Sequence, residues 1–185
     1  MMRAAGRALL LGGTMSLLAG SLLAQPDFDF MPDGGRKTLM RVFGGSATEL
    51  AMVASSQHDG AEWQRMVAAK APDLAPEEIE TLVSYLAVNM PLPAEAVGEA
   101  ASTEELSATL PPDGKELAIA NCQFCHSLFS GYLSQDRDVE GWRGVFKPPY
   151  HSELPMSARE RETFSRYSAI NMPIPYQDVP ADLRF

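Results

Sequence analysis

Asn89-Met90-Pro91-Leu92-Pro93 recurs 82 residues later as Asn171-Met172-Pro173-Ile174-Pro175. Five near-identical residues in a row at a fixed offset mark an internal duplication. The register extends backwards, pairing Glu80-Thr81-Leu82 with Glu162-Thr163-Phe164 and Tyr85 with Tyr167. Ahead of a three-residue insertion in the second copy the offset is 79, and there Gly35-Arg36 matches Gly114-Lys115, Asp59 matches Asp138, and Trp63 matches Trp142. The chain of 185 residues therefore reads as two homologous domains, 27–93 and 113–180. They are joined by the Ala/Glu/Ser-rich segment 94–112.

Each copy shows one coarse plan of helix, loop, short helix around Trp, and final helix, which predicts an all-α fold. In the second copy a short helix is expected over 114–121, and a turn or helix over 141–146 that buries Trp142. Ser157-Ala158-Arg159-Glu160 has capping-box spacing and opens the last helix, which stops at Pro173. Phe164, Tyr167 and Ile170 recur at three-residue steps as its apolar stripe. In the first copy Pro76 suits the first turn of the equivalent helix, with Leu82, Tyr85, Leu86 and Val88 as its apolar residues. Copies of this size bury little core alone, so a prosthetic group or the neighbouring copy is expected to complete each one.

Both cysteines of the chain stand in Asn121-Cys122-Gln123-Phe124-Cys125-His126. C-x-x-C-H is the attachment signature of a c-type haem. Two thiols three positions apart can form thioethers to the two haem vinyl groups, and the adjacent imidazole then reaches the iron. A zinc site lacks a second Cys pair, and a redox dithiol lacks the βαβ context that usually surrounds it. At the offset of 79 the first copy holds Phe43, Gly44, Gly45, Ser46 and Ala47 where the second holds Cys122 to His126, so covalent haem is expected in the second copy alone. Phe43 and the adaptable Met31, Met40, Met52 and Met66 are candidates to fill the volume left behind. The first copy then reads either as an ordinary core or as a docking or regulatory module that kept the fold and dropped the chemistry.

C-x-x-C-H near the start, Trp142 in the middle and a final helix carrying Tyr167 together resemble the class I cytochrome c family. The resemblance covers both copies, but only 113–180 carries the haem motif. It implies one covalently attached haem c, with Cys122 and Cys125 as its anchors and His126 as proximal iron ligand. The layout resembles a di-haem cytochrome whose first haem has been lost. In that family the distal ligand is usually a Met ahead of the final helix, and three residues compete here. His151 ranks first, because it stands six residues before the Ser157 cap and the first copy has no counterpart. Met156 directly precedes the cap and matches Leu74. Met172 follows the final helix, and its twin Met90 persists where no haem can attach. His58 lies opposite Arg137 and reads as a surface-loop residue.

Arg3 and Arg7 precede the uncharged run Ala8 to Ala24, a pattern that reads as an export signal over 1–24. An uncleaved anchor is the alternative, although three glycines weaken a run at the short end of the ~17–25 residues a membrane span needs. Leu18-Ala19-Gly20-Ser21 has Ser where a lipidated Cys would stand. Loss of Arg3 and Arg7 takes the formal charge from −9 to −11. Such acidity argues against nucleic acid and for docking on basic surfaces of periplasmic redox proteins. The expected function is single-electron transfer, as a carrier or as the cytochrome subunit of a redox complex. The alternatives are a small-ligand sensor or peroxidase-like enzyme with a displaceable sixth ligand, and a scaffold with structural haem. No Ser-His-Asp set or phosphate loop competes. Asp136-Arg137-Asp138 and the run 157–162 read as solvated charged faces.

Overall fold

A computed structural model describes residues 28–98, 102–123 and 125–184. The signal segment read over 1–24 lies outside them, and among the described residues no helix is long and apolar enough to cross a membrane. Among the described residues ten α-helices follow one another: α1 (Gly35–Phe43), α2 (Ala47–Ser55), α3 (Gly60–Lys70), α4 (Pro76–Asn89), α5 (Ala94–Gly98), α6 (Thr103–Thr109), α7 (Gly114–Asn121), α8 (Val139–Gly144), α9 (Pro149–Ser152) and α10 (Ala158–Asn171). Described residues contain no strand, so the fold is all-α as expected.

Local chemistry sets the helix boundaries. Ser157 accepts the Glu160 N–H, and Glu160 in turn accepts the Ser157 N–H, the reciprocal box anticipated for the start of α10. Asp59 and Glu62 do the same for α3, and Asp113 and Glu116 for α7. Pro76 occupies the first turn of α4, where a missing N–H costs nothing.

The duplication is repeated in the contacts. Helices α4 and α10 pack against each other as the central pair, α1 crosses α4, and α7 crosses α10. A Cβ on Gly35 would stand 2.1 Å from the Tyr85 Cβ, and one on Gly114 would stand 2.1 Å from the Tyr167 Cβ, so both crossings need glycine for close approach. Across the central pair, Asn89 Nδ2 donates to Thr163 Oγ1 and Asn171 Nδ2 donates to Thr81 Oγ1, each at 3.0 Å. Leu92 N–H donates to the Ala54 carbonyl and Ile174 N–H to the Leu133 carbonyl, both at 2.8 Å. Those acceptors are themselves 79 residues apart, so the sequence register is also a spatial one.

Each copy also lends an arm to the other. Met31 is 2% exposed within the core of the second copy, while Leu106 and Leu110 bury in the core of the first. The Tyr167 hydroxyl donates to the Pro32 carbonyl and the Tyr85 hydroxyl to the Pro111 carbonyl, each at 2.7 Å. The connecting segment 94–112 thus carries two short helices and contributes to the first core.

Of the methionines proposed to fill the first copy, Met40 and Met66 do pack against its core. Met31 belongs to the other core, because its stretch is the exchanged arm. Met52 is 58% exposed, on the outer side of α2. Phe43 itself is buried in the first core, as its position required. Val88 is only half-buried at the end of α4.

Asp113 ties the two copies electrostatically. Besides capping α7 it accepts the Arg36 and Lys37 N–H groups at 3.1 and 3.4 Å, so it also caps α1, whose own N-cap residue Gly34 has no side chain to offer. Burial pushes its carboxyl above the usual range, against the N–H groups that favour the ionised form.

Candidate functional site

In the second copy the chain leaves α7 at Asn121, and Cys122, Gln123 and Cys125 to Ser127 are without regular structure. It then enters a π-helical turn over Phe129–Leu133, closed by the Ser134 N–H to the Phe129 carbonyl at 3.0 Å. Helix α8 follows, capped by Asp138 through the Gly141 N–H at 2.7 Å, and buries Trp142. The four-residue α9 presents Tyr150 and His151.

These segments enclose a cavity of ≈ 260 Å³. Cys122, Cys125 and His126 line it on one side, and His151 and Met156 are also on its wall. Its floor is aromatic, formed by Tyr132, Trp142, Phe146 and Phe164, whose rings meet mostly edge-on at centroid distances of 5.3 to 5.8 Å. Of the three distal candidates, Met172 does not line the cavity. It buries in the core beside its Pro, as Met90 does in the other copy.

The two imidazoles share an arrangement. Their ring centroids lie 6.3 Å apart with planes inclined at 65°. His126 Nδ1 faces the Ser127 carbonyl at 3.2 Å, and His151 Nδ1 faces the Val145 carbonyl at 2.9 Å. A carbonyl only accepts, so each Nδ1 carries the proton and each Nε2 keeps its lone pair for a metal ion. An ion bonded to imidazole on opposite sides at about 2.0–2.1 Å, the length zinc takes, separates the centroids by roughly 6.2–6.5 Å. The observed centroid spacing falls within that range.

Two further features bear on whether haem fits. Trp142 Nε1 is buried on the cavity wall and has no hydrogen-bond partner among the described residues, which leaves a donor for an acceptor such as a haem carboxylate. Burial pushes the Cys122 thiol up to about 12. That is opposite to the lowered pKa a redox dithiol needs. Among the described residues no three His, Cys, Asp or Glu side chains gather as a ligand set for a bare ion. The residues present fit haem.

The charged run 157–162 does more than face solvent. Arg161 donates to the carbonyls of Ser152, Leu154 and Met156, pinning the loop between His151 and α10. Glu162 accepts two bonds from Arg143, at 2.7 and 2.6 Å, and one from Arg166, locking α8 onto α10. The Arg143 guanidinium holds the Glu162 carboxyl down to about 2. Arg137 lies over the Trp142 ring at 5.6 Å, and His58, read as a surface residue, meets Trp63 edge-on at 4.7 Å in the matching place.

Sequence reasoning did not single out Gly131, Tyr132, Phe146 or the Val145 carbonyl as parts of the site. Gly131 had a signal, since the offset sets it opposite Met52. Comparison with family models, curated proteins and solved structures returned no match.

Proposed function

We propose that the chain is a mono-haem c-type electron-transfer protein, built as two tandem cytochrome c-like domains of which only the second is loaded. Cys122 and Cys125 are the covalent anchors, His126 the proximal ligand and His151 the distal one. The observation that carries the proposal is the placement of both thiols and two Nδ1-tethered imidazoles 6.3 Å apart around one apolar cavity. Met156 shares that wall and is the second choice as distal ligand; Met172 is the third.

Bound haem would supply a one-electron couple. The chain's part is to hold each imidazole by its Nδ1, to surround the cofactor with Tyr132, Trp142, Phe146 and Phe164, and so to keep water from the iron. Low polarity and fixed ligands keep reorganisation on electron exchange small. The protein is placed in the periplasm, exported by the segment 1–24, and its net acidity suits partners with basic docking surfaces.

An absorption spectrum with haem stoichiometry on the exported protein tests this. One covalent haem per chain, low-spin in both oxidation states and reversibly cycled at an electrode, is expected. A spectrum that shifts on carbon monoxide or peroxide would instead favour a sensor or peroxidase-like enzyme. A haem that no electrode or donor can cycle would leave the scaffold role.

A further inference from the structure

We propose that Gly131 is a positioning residue, whose missing side chain is the recess that fixes the plane of the His126 ring. Through it the chain presets two steeply inclined imidazoles for one iron. The inference rests on the haem reading above.

A Cβ built on Gly131 would stand 2.1 Å from His126 Cε1, 2.2 Å from Nδ1 and 3.2 Å from Nε2. Such contacts lie far inside van der Waals range, and what they meet is a rigid ring rather than a flexible tail. The ring is exposed and its Nδ1 faces the Ser127 carbonyl at 3.2 Å, so an added Cβ would turn it out of this plane. Gly131 does not have a positive φ, so its backbone conformation is open to any L residue. His126 is therefore what reserves the position for glycine.

The duplicate provides an internal control. Where His126 is replaced by Ala47, Gly131 is replaced by Met52, whose side chain points outward at 58% exposure. Loss of the ring and gain of the side chain go together. The π-helical turn supports the same function, because its widened backbone carries Gly131 against the ring while Tyr132 and Leu133 stay buried. On the other side, the Val145 carbonyl fixes His151 at 2.9 Å, and the two planes stand at 65°.

Plane inclination has a spectroscopic readout. In low-spin ferric haem with two imidazoles, steeply inclined planes bring two iron d orbitals close in energy and move the lowest-field EPR feature to lower field than parallel planes do. The wild-type, haem-loaded full chain is expected to show this low-field feature. Gly131→Ala is expected to keep one covalent haem, to displace the feature and to shift the midpoint potential, while Met52→Gly changes neither.

An ordinary helical glycine behaves differently, because Ala there raises helix stability. A Gly131→Ala variant with wild-type EPR and potential and a raised thermal midpoint would overturn the inference. So would a parallel-plane spectrum in the wild type, a result that needs no variant to fold. Absence of covalent haem from the wild type would instead overturn the function on which the inference depends.

Discussion

Residues 43–54 and 122–133 occupy the same place in the two halves and fold differently. In the first copy Ser46 stands in the position of Cys125 and caps α2 through the Glu49 N–H at 3.3 Å, and Ala47 begins the helix where His126 would be. Phe43 fills the site of Cys122 and buries with Met40 and Met66 around it. In the second copy Cys122, Gln123 and Cys125 to Ser127 stay irregular, and the chain regains helix through a π turn. Much outside that stretch matches: the buried Trp, the crossing glycines, the Tyr-to-Pro hydrogen bonds and the Asn–Thr pairs. The chemistry of the second half is thus confined to a loop and the short α9, on a scaffold that the first half keeps without it.

That comparison can be broken at several levels. Phe43→Ala should cost the most, about 3–5 kcal/mol, because it removes a buried ring from the first core. Urea denaturation of the full chain reads it, and a loss below about 1 kcal/mol would mean that the first copy does not rely on Phe43.

Asp113→Ala comes next, at about 2–4 kcal/mol, because one carboxylate caps α1 and α7 together. Ser46→Ala, which uncaps α2 alone, should cost about 1 kcal/mol, and equal losses for the two variants would argue against a shared cap.

Tyr85→Phe and Tyr167→Phe should each cost about 1 kcal/mol and, more tellingly, the same amount, because each removes one equivalent hydrogen bond to the stretch that precedes the other copy's first helix. Both losses should fall in a single unfolding transition, because the arms are exchanged. Two separate transitions would show the halves to be independent.

The smallest effect concerns acid. Glu162 has a depressed folded pKa, so its stabilising contribution is complete above its unfolded value of 4.5 and fades as pH falls toward about 2. Glu162→Gln should flatten the acid dependence of stability in that window alone, since the group is part-exposed and its pairing screened. In the first copy Glu80 holds the matching place, but Gln64 stands where the second copy has Arg143.

Much of this was legible before any coordinates. Capping chemistry is local, so the start of α10 at Ser157 and the span of α7 could be read from residue order. The offset of 79 located Phe43 and exposed the loss of Cys125 and His126. Arm exchange could not be read, since nothing in the stretch around Met31 says which copy's core it enters. The Val145 carbonyl was invisible for a different reason: a backbone acceptor has no residue identity. Gly131 belongs to no motif, and only the ring placed against it gives it meaning.

The central claim is that the second copy holds its haem between His126 and His151. The ferric spectra of His151→Ala and Met156→Ala, each with haem stoichiometry, test it most directly. Loss of the low-spin signature in His151→Ala, with Met156→Ala unchanged and one haem retained in both, is the predicted result. A low-spin spectrum that survives in His151→Ala and disappears in Met156→Ala would contradict it.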